Sequence, residues 1–409
     1  MASPGGLLHN RNYLLYRVSR VTSVLGSRIS GIAYPLLVLS FGGSLVQAGA
    51  LGSVQLITST VLKVPGGHLA DRYDRRTLMI IMDAVRMLAA GSVPLAALLH
   101  GLSYPQLLGV VVIEGAGSAM FGPAAVVYLR EIVPKQHLTR ALSQTQATSG
   151  AMSLIGPTLG GLLFGVDRLL PFTVDFCSYV LSAALLFGVV ASKPKPAGQA
   201  SDRRVTAGVR WLWRQPSLMR VVFFASTINL VSSALTVAVI LSLRRHGTPP
   251  AAIGVIMACV GIGGICGSML APRLVPVGAA RLYLAVGATW TAGLALFAAA
   301  FSPFVIGPVL AIMFALSPAA GIMLSRVTLD QAPPDLLGRV STAEQTVSLS
   351  LATTGPVLAG SLLEGLGRPA TWLILAGICL IGTIVTIAPL ILRGRSPQVR
   401  PDPVPAAAE

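Results

Sequence analysis

The chain has 409 residues, of which 54% are apolar and 11% charged, and its formal net charge is +16. A soluble domain carries roughly a quarter charged residues, so this composition excludes an ordinary water-soluble fold and makes the bilayer the expected solvent. The basic excess does not point to nucleic acid. A nucleic-acid binder gathers Lys and Arg on one soluble face, whereas here they fall in short loops between apolar runs.

A helix needs about 20 mostly apolar residues to cross a bilayer. That length predicts about twelve spans, at 15–41, 47–70, 77–100, 104–128, 141–166, 172–192, 218–243, 250–272, 281–301, 304–328, 341–365 and 370–392. No cleavable leader is expected, because Arg11, Arg17 and Arg20 precede or enter a full-length apolar segment. Basic residues crowd alternate loops, among them Arg72, Arg75, Arg76, Arg130, Lys135, Arg140, Arg273 and Arg339. The inside-positive tendency then puts both termini in the cytoplasm. Arg244 and Arg245 are the pair that runs against this pattern.

The turn between the second and third spans is the most charged stretch, with Asp71, Arg72, Asp74, Arg75 and Arg76 in six positions. Read as Gly67-His68-Leu69-Ala70-Asp71-Arg72-Tyr73-Asp74-Arg75-Arg76, it resembles the signature loop of the major facilitator superfamily of secondary transporters, in the branch of macrolide, tetracycline and enterobactin exporters. Asp74 replaces the usual glycine. The resemblance implies that Gly67, Asp71, Arg72, Arg75 and Arg76 form a conformational latch whose contacts break as the transporter tilts. From composition alone they are inside-positive anchors.

In the fourth span, Glu114 to Ala119 resembles the end of a proton-antiporter motif, but Val111 stands where that motif carries arginine. In the fifth, Gly156-Pro157 with Gly160-Gly161 resembles the antiporter motif of that helix. Small residues and a proline also predict close packing and a kink.

A polar, basic segment, 193–217, divides the chain into six-helix halves at 1–192 and 218–392, and its later part is expected to lie along the membrane face through Trp211 and Trp213. The Pro-rich tail, 393–409, is expected to be disordered. The halves repeat each other: Pro134, Leu138, Arg140, Gly156-Pro157 and Gly161 match Pro333, Leu337, Arg339, Gly355-Pro356 and Gly360. Such duplication places a substrate site between two bundles near mid-membrane.

Ionisable residues within spans are costly, by roughly 2.5–3.5 kcal/mol each, and are functional candidates. Lys63, Asp83 and Arg86 are expected to form a buried charge network across the hairpin of spans two and three, and Asp175 to sit near a helix N-terminus. Glu344 has Thr145 as its repeat-mate. Arg28 and Glu114 both fall about 20 Å above the inner ends of their helices, close to mid-membrane, and are expected to pair across the cavity. A pair that opens and closes would carry a proton; a static pair would only brace two helices.

No catalytic constellation, Walker A sequence, metal-ligand spacing or cofactor motif is present, and Gly261 to Gly267 lies inside an apolar span rather than after a strand. The four cysteines lie in apolar runs. The expected molecule is an all-α plasma-membrane protein of two pseudo-symmetric six-helix bundles, acting as a monomer on protons and a small molecule. The activity expected is export of a hydrophobic or amphipathic compound by proton antiport. A same-fold importer or lysophospholipid flippase, and a membrane sensor or scaffold without transport, remain as alternatives.

Overall fold

A computed structural model describes residues 10–189, 210–333 and 336–392. Among these the elements are helical throughout. The first half contains α1 (Arg11–Ser40), α2 (Leu45–Val61), α3 (Lys63–Arg72), α4 (Arg75–Leu98), α5 (Tyr104–Ile132), α6 (Leu138–Val166) and α7 (Leu170–Phe187). The second contains α8 (Pro216–Arg245), α9 (Pro250–Leu274), α10 (Ala279–Ala299), α11 (Pro303–Gln331), α12 (Leu337–Ser350), α13 (Gly355–Gly365) and α14 (Gly367–Leu392). Eleven stretches are long and apolar enough to cross a membrane, and the bent pair α2–α3 makes the twelfth. This is a multi-pass membrane protein.

Local sequence explains the two interrupted spans. Pro65 lacks an N–H and its ring crowds the carbonyl four residues back, which belongs to Val61, the last residue of α2; the axis turns by 42° there. Pro356 does the same to Ala352, and the chain passes through a 3₁₀ turn, Leu351–Thr354, between α12 and α13. Asp74, the departure from the signature loop, is the N-cap of α4. Its carboxylate accepts from the Thr77 amide at 2.8 Å and hydroxyl at 2.6 Å.

The two bundles share one packing pattern, as a duplicated chain requires. Gly156 of α6 lies against the backbone and Cβ of Arg28 on α1, and Gly355 at the start of α13 lies against Ser233 on α8. Arg28 follows the start of α1 by the same interval as Ser233 follows the start of α8. The contacts between bundles are reciprocal too. A Cβ on Gly161 of α6 would sit 2.4 Å from the Pro250 oxygen of α9, and one on Gly360 of α13 would sit 2.3 Å from the Leu45 oxygen of α2. Gly254 faces the Pro157 oxygen just as Gly49 faces the Pro356 oxygen. These two seams, α6 on α9 and α2 on α13, are backbone-to-backbone contacts that only glycine allows.

Both seams lie at the end of the bundles opposite Arg72, Arg75 and Arg76. Hydrogen bonds that cross between the halves lie there as well: Val46 N–H to the Glu364 carboxylate at 3.0 Å, Val357 N–H to the Ser53 hydroxyl at 2.9 Å, and the Thr158 hydroxyl to the Gly254 carbonyl at 3.5 Å. A continuous apolar core joins both bundles through this region, including Leu37, Leu45, Leu235 and Leu363. A second apolar cluster, built on Tyr13, Tyr16, Phe121 and Tyr128, stays within the first bundle at its basic end.

Candidate functional site

A cavity of about 650 Å³ lies between the bundles. The first bundle lines it with Arg20, Ser23, Ser27 and Arg28 of α1, Gln55 of α2, Arg86 of α4, Glu114 of α5, Ser153 of α6 and Tyr179 of α7; the second contributes Thr236, Ile240, Met257 and Val260. The wall is therefore polar and charged on the first bundle's side and, Thr236 apart, apolar on the second's. The glycine seams close one end, and among the described residues no hydrogen bond joins the bundles towards the basic end.

Glu114 lines this cavity and is buried. Its two oxygens accept from the Tyr34 hydroxyl at 2.6 Å and the Gln55 amide at 3.1 Å. Both partners are neutral. The expected pair with Arg28 is not formed: Arg28 faces the same cavity, but among the described residues no ion pair joins the two. Their equal depth is not sufficient, because Arg28 sits beside Gly156 on the α6 side of α1, while Glu114 turns towards α2 and the Tyr34 face of α1.

The charge network also differs in membership. Asp83 is fully buried and pairs with Arg86, one turn along α4; it accepts a further hydrogen bond from Ser182 at 2.6 Å, which in turn meets Ser19 at 2.8 Å. The Arg86 guanidinium is held between the rings of Phe121 and Tyr179, 4.8 and 4.6 Å from their centroids. Its stem lies over Gly117, where a Cβ would come within 2.6 Å of Cγ. Lys63 does not take part. The bend at Pro65 turns α3 onto α5, with Gly66 against Ala119, and leaves Lys63 exposed.

Asp175 is fully buried, but its site is not the helix N-terminus expected from its position. It lies beyond the first turn of α7, and the Ser30 hydroxyl donates to it at 2.7 Å. Among the described residues the Arg86 guanidinium forms an ion pair with Asp83 and with neither Asp175 nor Glu114.

In the charged loop, Arg75 pairs with Glu131 at the end of α5, at 3.0 Å. Arg76 donates to the carbonyls of Leu186 and Phe187 at 2.8 and 2.6 Å, capping the C-terminus of α7. Arg72 is exposed, and the Asp71 side chain lies outside the described residues, as do 190–209 of the linker and the tail after 392. Of the glycines in the α6 motif, Gly156 and Gly160 seat α6 on α1 within one bundle, whereas Gly161 and Pro157 face α9 of the other.

Sequence reasoning missed Tyr34, Gln55, Tyr179 and Ser182. One signal was available. Ser19, Ser23, Ser27 and Ser30 recur at helical spacing in an apolar segment, marking a polar stripe on α1; Ser19, Ser27 and Ser30 each bond a group on α7.

The profile of the Major Facilitator Superfamily matches residues 18–354. The multidrug efflux pump Tap of Mycolicibacterium fortuitum is 26% identical over 401 residues, covering 92% of this chain and 95% of the pump. The enterobactin exporter EntS of Citrobacter koseri is 25% identical, covering 96% of this chain and 94% of the exporter. Among solved structures, a bacterial homologue of the iron transporter ferroportin in its inward-facing state superposes with a TM-score of 0.73 at 16% identity, covering 94% of this chain and 99% of that one. The nucleoside transporter NupG gives a TM-score of 0.71 at 14% identity, covering 93% and 98%. At these identities the two structures speak to the fold alone.

Proposed function

The chain belongs to the Major Facilitator Superfamily, and from that membership we propose that it exports a hydrophobic or amphipathic small molecule from the cell by proton antiport, as a monomer in the plasma membrane. The observation that carries this reading is the central cavity, sealed by glycine seams at one end, with the Glu114 carboxyl in its wall hydrogen-bonded, among the described residues, by the neutral groups of Tyr34 and Gln55. The inside-positive tendency assigns the basic loops to the cytoplasm, so the cavity faces the side from which an exporter loads. Likeness to an efflux pump and an exporter over nearly the whole chain favours the outward direction.

Alternating access supplies the cycle. Opening the seams turns the cavity to the other side, where Glu114 takes up a proton; closing them returns it to the cytoplasm, where the proton leaves. Neutral partners suit this role, since Tyr34 and Gln55 can stay bonded to either protonation state by reorienting a hydroxyl or amide. Asp83, by contrast, is held by a full charge and serves to fix Arg86. Arg75 and Arg76 hold the signature loop to α5 and α7 of their own bundle in this state. In the opposite state the loop, with Asp71, engages the second bundle. Each such surface pair is weak, on the order of 1 kcal/mol, as a balanced two-state switch needs.

A panel of dyes and antibiotics in a transporter-deleted host, with and without a protonophore, tests transport and its coupling. Glu114→Gln is expected to abolish uphill, protonophore-sensitive efflux while retaining downhill exchange of the same compound in proteoliposomes. Uphill efflux at wild-type rate in the variant would remove Glu114 from the coupling role.

A further inference from the structure

The second bundle contains its own cavity, of about 320 Å³, away from the central one. It lies between the early turns of α8 and α10 and the later turns of α11 and α12, towards the basic end of the fold. Glu344 of α12 lines it, with only 7% of its surface exposed. Among the described residues one hydrogen bond reaches this carboxyl, from Thr328 at 3.3 Å, and no Lys or Arg lies within ion-pair distance. Two further lining groups, the Tyr283 and Ser348 hydroxyls, are buried without a hydrogen-bond partner. Phe224 completes the wall, its ring 5.2 Å from that of Tyr283.

We propose that this cavity is a binding site for an organic cation with an apolar or aromatic body, with Glu344 as its counter-ion. A carboxylate this buried, with no cation beside it among the described residues, is expensive, because burial removes hydration. A proton would relieve the charge but would fill none of the space and satisfy neither hydroxyl. An ammonium head beside Glu344 relieves the charge, gives the Tyr283 and Phe224 ring faces a cation, and places its body against Val221, Val286 and Leu324. Polar substituents on the same ligand would meet Tyr283 and Ser348.

Thr145, the repeat-mate of Glu344, lies beside a space of about 20 Å³ between α1 and α6, with no acid in its wall. Occupancy of the Glu344 cavity does not depend on the direction or coupling of transport.

Binding of benzyltrimethylammonium to the purified full chain in nanodiscs, by calorimetry, tests it against the neutral isostere neopentylbenzene. Glu344→Gln is expected to weaken the cation at least tenfold and leave the neutral compound unchanged, while Asp330→Asn, at an exposed acid of α11, leaves both unchanged. Thr328→Val, which keeps the acid, should retain the preference for the cation. Equal affinity of the cation for wild type and Glu344→Gln, loss of binding in Asp330→Asn instead, or no binding at all would each overturn the proposal, the last leaving Glu344 a protonated acid only.

Discussion

Arg86→Met is expected to be the most damaging single substitution in the chain. It leaves Asp83 fully buried with Ser182 as its remaining partner. Breaking one side of a buried pair costs about 3–5 kcal/mol, because the orphaned charge stays in a low-dielectric interior. The guanidinium also spans α4, α5 and α7 through its stacking on Phe121 and Tyr179, so helix packing suffers with the charge. The expected readout is a large fall in melting temperature of the purified protein in detergent. The double variant Asp83→Asn/Arg86→Met removes both charges at similar volume and is expected to recover most of the loss. A single variant as stable as wild type would mean that Asp83 is solvated or already neutral.

The second large effect is expected at the seams. Gly49 and Gly360 meet the backbone of the opposite bundle, and a Cβ on either would fall 2.2–2.3 Å from a carbonyl oxygen. Leucine at either position cannot be fitted by side-chain adjustment. In the alternating-access cycle proposed above, the seams exist in one of the two states, so the penalty is expected to fall on that state and the other to become populated. Inverting a 1:99 balance takes roughly 5.5 kcal/mol, within reach of a wedge driven between two backbones. Gly360→Leu is therefore expected to insert normally but to stop transport, and to expose a cysteine at Ser53 to an impermeant maleimide added from the sealed side. Gly156→Leu should behave differently. It collides with Arg28 inside its own bundle, in both states, and is expected to lower the yield of folded protein. A protected Ser53→Cys in the Gly360→Leu background would show that the seams do not control access.

The contrast between Gly156 and Gly161 shows where sequence reading reaches and where it stops. Span number, the duplication and the paired Gly-Pro positions were legible because they depend on apolar length and on residues with special backbones. Which neighbour each glycine meets was not, since Gly156, Gly160 and Gly161 look alike in the chain and differ only in the face of α6 they occupy. The same limit explains Lys63. A hairpin drawn from sequence puts Lys63 level with Asp83, but the bend at Pro65 turns α3 onto α5. It explains Arg28 and Glu114 as well: depth along a helix follows from counting residues, but azimuth depends on how bundles pack. Asp83 and Arg86 were recognisable because their spacing on one helix fixes azimuth and depth together.

Alternating access between two rigid bundles is tested most directly by locking the seam. In a background with Cys177, Cys259, Cys266 and Cys379 replaced by serine, cysteines at Val46 and Glu364, which meet across the sealed end, would be bridged by a short reducible bis-thiosulfonate. Protonophore-sensitive efflux is expected to stop when the bridge forms and to return on reduction, with neither single cysteine affected. Undiminished efflux through fully bridged protein would contradict a transport cycle that opens this seam.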